Sequence, residues 1–308
     1  LIALVQWHLD AASIYGSSGI PATVREPFFG PFVNANHGGA LCAALVPVAI
    51  GIAAHGPVRA RIAGLVFVLF LSTGVALAGS RGAVVSLGIG SAAVLLAGGG
   101  RLTRALVLVA LAAVLAWIMM LGPAQVLRSL GDLVAPQLGE MVDAGYVDLT
   151  TGRAALLADV SVLARSVWPL GVGPGGFDEA YQIVKSSPAF ITSAHAHNDL
   201  LQAAVEHGLP ATSALVVAAC LWLLVVVQGI RRSGSRPDRQ WLMAGCVGTV
   251  AALGTTAMVD FPMRLGSHSL LLALTAGAAL GLSRKRGRGR RASVPWRRSL
   301  GLPSVLAV

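Results

Sequence analysis

The longest nearly uncharged stretch of the chain constrains its fold more than any other feature. From Ile62 to Gly100 there are 39 residues, and the only ionisable side chain among them is Arg81. A single helix of this length would measure about 58 Å, almost twice the ~30 Å hydrocarbon core of a bilayer. The segment must therefore fold back on itself, and we predict the turn at residues 79–82, where two glycines permit the required backbone angles. Arg81 would then lie at a hairpin tip on a membrane surface, because a guanidinium deep in hydrocarbon is costly.

Similar apolar blocks recur along the whole chain. Hydrophobic residues make up 55% of it and charged residues 12%, whereas soluble domains carry about 25% charged residues. We therefore predict an all-α fold, a polytopic helical integral membrane protein in which residues 1–308 form one membrane domain. Because residues 1–5 resemble the end of an apolar block, we expect further spans to precede them. The predicted spans are 39–55, 62–79, 82–100, 105–122, 210–230, 241–259 and 268–282.

The distribution of charge predicts the orientation of these spans. If successive connectors alternate between the two membrane faces, one face carries 16 Lys and Arg residues against one acid, Asp238. The opposite face carries 7 basic residues, Arg81 among them, against 12 acids. Since cytoplasmic loops are enriched in Lys and Arg, we assign the first face and the basic tail 283–308 to the cytoplasm. Arg81 and the long connector 123–209 then face outward.

The connector 123–209 is too long for a simple link, so we expect it to be structured and functional. We predict three helices in it, within "TTGRAALLADVSVLARSVWP", "GGFDEAYQIVK" and "HNDLLQAAVEHGLP". In the third helix Asn198 can cap the N-terminus and Gly208 can end the helix. Asn198, Gln202 and Glu206 follow each other at i, i+4 spacing and form a polar line on one face.

Two other motifs suggest ligands that we do not expect the chain to bind. The glycines of "GVGPGG" at 171–176 match the spacing of a dinucleotide-binding loop, but no predicted strand precedes them and Pro174 interrupts them. We interpret this segment as a turn between helices. The tail sequence "SRKRGRGRR" could suggest nucleic acid, but we interpret it as a topology anchor that also contacts anionic lipid.

The segment "AHAHND" places two histidines, His195 and His197, directly before a predicted helix on the outward face. As a metal pair they lack a clear third ligand, so we predict no metal site. A neutral imidazole at this position could act as a general base near pH 7. Histidines without a role in a surface loop remain the alternative.

Taken together, several of these segments make the chain resemble the O-antigen ligase and polymerase superfamily of bacterial envelope glycosyltransferases. The matching segments are "GPFVNANHGG", "SRGA", "TGR", "PLGVGPGGFDEAY", "AHAHNDLLQAAVEHGLPA" and "DFPMR", in this order between about residue 20 and residue 282. Position 35 is Ala where the family often has proline, and the first spans expected of the family are absent.

The resemblance implies an enzyme of the bacterial inner membrane, with the connector 123–209 in the periplasm. Such enzymes transfer a glycan from a polyprenyl diphosphate carrier to an acceptor, such as the lipid A core or another glycan, without metal or cofactor. The family's functional arginines correspond to Arg81 and Arg153, and its loop histidine corresponds to His197.

This chemistry suggests a role for each of these side chains. As the bond between the sugar and its carrier breaks, charge grows on the diphosphate, and fixed guanidinium groups can stabilise it. We expect Arg81 and Arg153 to provide such a clamp, with Arg264 as a further contributor, and His197 to deprotonate the acceptor hydroxyl. A mere snorkelling role is the alternative for Arg81. The residues expected to contact substrate are His195, Asn198, Glu206 and Arg264.

Three rival functions stay open at this point. A polymerase that joins repeat units belongs to the same family, and the motifs do not separate it from a ligase. A transporter or lipid flippase would place ionisable groups and broken helices near mid-membrane, often in repeated halves, which the sequence does not display. A membrane scaffold without catalysis would leave the outward arginines and the histidine pair without a role.

Overall fold

The computed structural model describes residues 29–98, 153–186, 194–233 and 236–284 of the 308-residue chain. Within these ranges the regular structure is helical, and the prediction of an all-α fold is confirmed. The predicted span 105–122, residues 1–5 and the tail beyond Arg284 lie outside the described residues. The helices are α1 (Ala35–Ala54), α2 (Val58–Ala78), α3 (Arg81–Ala97), α4 (Arg153–Ser166), α5 (Phe177–Val184), α6 (Asp199–Arg232), α7 (Pro237–Ala257), a short 3-10 helix (Pro262–Arg264) and α8 (Gly266–Ser283).

Four of these helices, α1, α2, α6 and α8, are long and apolar enough to cross a membrane. Helix α3 is also apolar but shorter, at 17 residues. Helix α7 packs against α1, α3 and α8, and about half of its residues are buried, among them Trp241 and Leu253. These six helices coincide with six of the seven predicted spans, and the chain is a helical integral membrane protein.

The predicted hairpin is present at residues 79–82. Helix α2 ends at Ala78, and Gly79 takes a left-handed conformation with φ of 59°. The Ser80 hydroxyl then accepts a hydrogen bond from the Ala83 amide at 3.3 Å, which caps the start of α3. Arg81 is the first residue of α3 and is exposed. The chain turns where the glycines and the capping serine allow it, and this turn carries the arginine to the end of the helix bundle.

Small residues bring the central helices into close contact. Gly90 of α3 and Gly248 of α7 face each other so closely that a Cβ on Gly248 would lie 2.5 Å from the Gly90 carbonyl oxygen. Such contacts are typical of membrane helices, in which association depends on close packing of backbones. Ser86 and Thr256 add a buried hydrogen bond of 2.9 Å between the same two helices. The core around them is mostly alanine and valine, with Trp241 as its one large aromatic side chain among the described residues.

A second, separate core lies in the described part of the long connector. Helices α4 and α5 pack against the first turns of α6. The side chains that meet there are larger than those between the membrane helices: Leu156, Val160, Leu163, Phe177, Tyr181, Ala196 and Val205. The predicted helices in this connector are therefore confirmed over the described residues, and together they form a small cap on one end of the bundle.

The predicted break at Gly208 is present. We predicted a loop helix that ends at Gly208 and a separate span from 210. The element Asp199–Arg232 consists of two helices that meet at a sharp kink at Gly208, where the backbone is not helical, with φ of 71° and ψ of −176°, and the prediction is confirmed. At the kink the loop 169–173 pairs with backbone groups of α6: the Val172 amide donates to the Val205 carbonyl at 2.8 Å, and the Leu209 amide donates to the Pro169 carbonyl at 2.8 Å. The "GVGPGG" turn therefore holds the kink, because it satisfies polar groups that a broken helix leaves unpaired.

Candidate functional site

The centre of the candidate site is a pair formed by His197 and Asp260. Their side chains are 3.2 Å apart, between His197 Nδ1 and Asp260 Oδ1. Asp260 is 6% exposed and lies just after α7, whereas His197 is partly exposed and lies just before α6. The backbone of His197 has a φ of 48°, which residues other than glycine adopt rarely. Two chain segments 63 residues apart thus meet at this contact.

Two further aromatic side chains complete the surroundings of this pair. His37 of α1 places its Nε2 3.8 Å from Asp260 Oδ1, which is too far for a hydrogen bond but close enough for electrostatic attraction. The ring of Phe261 lies among three imidazoles, with centroid distances of 4.9 Å to His37, 4.3 Å to His195 and 5.0 Å to His197. Phe261 therefore acts as a spacer that fixes the relative positions of the three histidine rings.

The electrostatics of the pair favour an ionised carboxylate. Burial raises the pKa of the Asp260 carboxyl, but the hydrogen bond with His197 and the nearby His37 imidazole outweigh burial and hold this pKa well below its usual range. An ionised carboxylate only accepts hydrogen bonds, so His197 Nδ1 carries the hydrogen in this contact. In a neutral imidazole the lone pair is then on Nε2. Burial also lowers the pKa of the neighbouring His195, and Arg264 and His197 lower it further, against a smaller opposing effect of nearby carboxylates.

Arg81 lies at the rim of the same region. A cavity of about 210 Å³ is lined by Arg81 and Asp260 together with Asn36 of α1 and Thr256 of α7. His197 does not line this cavity itself but contacts it through Asp260. The structure thus brings the hairpin arginine and the carboxylate partner of the histidine to one concave space, although 179 residues separate them along the chain.

Arg264 and Glu206 form an ion pair beside the histidines. Arg264 Nη2 is 2.5 Å from Glu206 Oε2, and the Glu206 side chain is 1% exposed. The other carboxylate oxygen, Oε1, accepts a hydrogen bond of 2.9 Å from Gln202. The Glu206 carboxylate is therefore occupied by protein partners, and the Arg264 guanidinium is anchored on it while about a third of the side chain stays exposed.

Asn198 and His195 are both tied to neighbouring segments. Asn198 caps α6, as predicted, since its Oδ1 accepts from the Leu201 amide at 2.9 Å. Its Nδ2 donates to the Met258 carbonyl at 3.1 Å, which links the start of α6 to the end of α7. His195 Nδ1 is 3.5 Å from Gln202 Nε2. The polar line predicted on α6 thus connects these loops to the membrane helices.

Arg153 is the first residue of α4. Its side chain lies outside the part that the structure describes, so of the three arginines predicted to form a clamp the structure describes only the side chains of Arg81 and Arg264.

Sequence reasoning missed three residues of this site: Asp260, Phe261 and His37. All three lie in segments that we quoted for the resemblance, "DFPMR" and "GPFVNANHGG", but we assigned no role to them. Their positions in the sequence could have indicated a role. Asp260 is an acid at the end of the apolar block 241–259, and His37 lies just before the apolar block 39–55. In the described ranges no group of three or more His, Cys, Asp or Glu side chains is arranged to hold a metal ion.

A comparison with known protein families identifies one family that matches the chain. Residues 65–216 match a protein-family model described as "O-Antigen ligase". The matched segment contains Arg81, Arg153 and His197, whereas His37 and Asp260 lie outside it. A search of the curated proteins gives no match. The family match covers most of the helical hairpin, the connector cap and the first half of α6, and this segment supports the assignment of the chain to the O-antigen ligase superfamily.

Proposed function

We propose that this protein transfers a glycan from a polyprenyl diphosphate carrier to an acceptor hydroxyl at the periplasmic face of the bacterial inner membrane, as an O-antigen ligase does. The observation that supports this most strongly is the contact between His197 and Asp260 at a cavity that Arg81 also lines. It provides a base and a cation at one end of a membrane bundle, where a lipid-linked diphosphate would lie.

In this proposal His197 is the general base. The Asp260 carboxylate holds the Nδ1 hydrogen, so that Nε2 presents its lone pair to an acceptor hydroxyl. Asp260 acts through His197 and is a positioning residue. This arrangement favours the base, because the carboxylate stabilises the imidazolium that forms when the proton is taken up.

Arg81 is the proposed partner of the diphosphate. It is exposed at the start of α3, and the connector that carries it would lie at the level of the lipid headgroups. Arg153 would contribute from the start of α4. Glu206 anchors Arg264, so that this guanidinium faces the same region with a fixed orientation. Guanidinium groups held in place before the reaction stabilise developing charge without reorganising during it.

The reaction follows from these roles. The acceptor oxygen attacks C1 of the carrier-linked sugar, and the bond between C1 and the phosphate oxygen breaks. The hydroxyl proton passes to Nε2 of His197, and the carrier leaves as polyprenyl diphosphate, with its charge stabilised by the arginines. Attack opposite the leaving group would invert the configuration at C1.

The test is a transfer assay with purified, detergent-solubilised protein. A carrier-linked oligosaccharide is offered with either a lipid A core or a second carrier-linked glycan as acceptor, and products are identified by mass. A glycan joined to the lipid A core supports a ligase, whereas elongated carrier-linked glycan would assign the protein to the polymerases of the same family. Without product on either acceptor, in a preparation shown to be folded, the proposal would be wrong. Transfer in detergent would also argue against a transporter, which needs a sealed membrane.

A further inference from the structure

A second cavity lies at the opposite end of the bundle from His37, His195 and His197. Helices α1, α7 and α8 each run from the histidine end to this end. The cavity has a volume of about 620 Å³ and is lined by the loop between α1 and α2, the start of α7 and the end of α8. Because its charged lining residues include Arg236, Arg239 and Arg284, we call it the arginine cavity.

The lining of the arginine cavity combines cations with apolar walls. Besides the three arginines it includes one acid, Asp238. Its apolar walls include Ile52, Leu242 and Leu282. A ligand that fits this space therefore has a negative head and an apolar body.

Arg239 is the most informative of these side chains. Its Nη2 donates a hydrogen bond of 2.6 Å to the Arg284 carbonyl, which orients the guanidinium across the cavity. Its Nε is buried and has no hydrogen-bond partner among the described residues. A buried donor without a partner is unfavourable, and this arrangement differs from Arg264, whose guanidinium is anchored on a carboxylate. The cavity is therefore lined by a positioned cation that none of the described carboxylates pairs.

We propose that the arginine cavity binds the phosphate of an anionic phospholipid. Phosphate oxygens accept hydrogen bonds from guanidinium groups in the geometry that arginine favours. The cavity lies where α1, α7 and α8 end, so its apolar walls continue toward the acyl region while its arginines lie at headgroup level. Basic pockets between membrane helices on the cytoplasmic side are known to bind lipid headgroups in this way. This lipid site does not depend on the proposed glycan transfer, because it lies at the end of the bundle that contains no proposed catalytic group. A bound lipid would contact α1, α7 and α8 and so link these three helices.

The experiment measures lipid binding to the delipidated full-length protein in detergent by native mass spectrometry. Phosphatidylglycerol is compared with phosphatidylcholine, and inorganic phosphate is added in a separate arm. We expect phosphatidylglycerol to bind at least tenfold more tightly than phosphatidylcholine, since each arginine near the headgroup contributes about 1 kcal/mol, which for two arginines exceeds a tenfold change. Equal affinity for the two lipids would overturn the proposal, as would phosphate displacing the lipid at equal concentration, because the site would then bind free phosphate.

Two variants locate the binding. The double variant Arg236→Gln/Arg239→Gln should weaken phosphatidylglycerol binding about tenfold or more, and Arg236→Gln alone should weaken it severalfold. The single variant leaves the contact between Arg239 and Arg284 intact, so it tests the cavity even if the double variant fails to fold. The matched control is Arg231→Gln/Arg232→Gln, which removes the same charge at the same end of the bundle but outside the cavity lining. Equal weakening in the control and the cavity variants would show general surface attraction and overturn the site.

Discussion

The two ends of the helix bundle differ in how their charged side chains are partnered. At the histidine end, the buried acids are paired: Asp260 accepts from His197, and Glu206 is held by Arg264 and Gln202. At the other end, the arginine cavity has three arginines, one acid and a buried Arg239 Nε that has no partner in the described part of the chain. Paired groups are fixed in position before a substrate arrives, which suits chemistry, whereas unpaired cations suit the binding of an anion from outside. The predictions below test this contrast, from the largest expected effect to the smallest.

The largest effect is expected at His197. In His197→Ala the acceptor hydroxyl loses its base, and glycan transfer should fall about 100- to 10,000-fold. Initial rates of product formation by folded, membrane-inserted protein measure this loss. The control is His207→Ala, because His207 is exposed on α6 and lies outside the histidine cluster. Near wild-type transfer by His197→Ala would exclude the proposed base.

The next largest effect is expected at Arg81. Arg81→Gln keeps a polar side chain at the hairpin tip but removes the charge, and transfer should fall about 100- to 1000-fold because charge on the departing diphosphate is less stabilised. The same rate assay measures this loss, with Arg165→Gln as the control, since Arg165 is exposed near the end of α4. If both variants lose activity equally, Arg81 contributes only to the general charge of this face.

A change of pH profile should distinguish Asp260 from a purely structural residue. Asp260→Asn removes the carboxylate that stabilises a protonated imidazole, so the acidic limb of the profile of kcat/KM should move to lower pH by about one unit. Rates are measured between pH 5 and about 9, the range in which histidine titrates. Asp260→Glu should restore the wild-type limb in part. A lower rate with an unchanged limb would mean that Asp260 only supports the fold.

The same carboxylate should make the stability of the protein depend on pH. Folding lowers the pKa of Asp260 below its usual value of about 3.9. When the pH falls below about 4, the unfolded chain therefore takes up a proton at this carboxyl while the folded protein resists protonation. The stabilisation is therefore present at neutral pH and is lost as pH falls below about 4. Thermal unfolding in detergent should show a difference between wild type and Asp260→Asn at pH 7 that shrinks at pH 3. Arg232→Gln, at the other end, should show no such dependence, because arginine does not titrate in this range.

The smallest effect is expected at Asn198. Asn198→Ala removes the cap of α6 and the bond to the Met258 carbonyl, and should lower the free energy of unfolding by about 1 kcal/mol. The midpoint of thermal unfolding should fall by about 2 °C or slightly more. The control Gln182→Ala, which removes an exposed amide from α5, should stay within about 0.5 kcal/mol of wild type. An unchanged midpoint in Asn198→Ala would show that the link between α6 and α7 does not contribute to stability.

Local features of the chain were predictable wherever neighbouring residues decide them. The hairpin at Gly79, the N-cap at Asn198 and the helices of the connector depend on residues within one or two turns of each other. The break at Gly208 was predicted as well, because glycine and proline indicated a helix end there. The backbone partners that the loop 169–173 supplies at this break come from a distance along the chain and were not predicted.

By itself the sequence determined that this chain is a helical membrane protein, roughly where most of its described helices lie, and which residues resemble a glycan-transferring family. These properties follow from hydrophobic length and local backbone preferences, which a linear pattern contains. Only the tertiary structure decided that Asp260 meets His197, that Glu206 holds Arg264, and that arginines from the start of α7 and the end of α8 share a cavity. Such pairings depend on which helix ends converge in space, and because an ion pair or hydrogen bond forms only within a few ångströms, spacing along the chain does not contain that information.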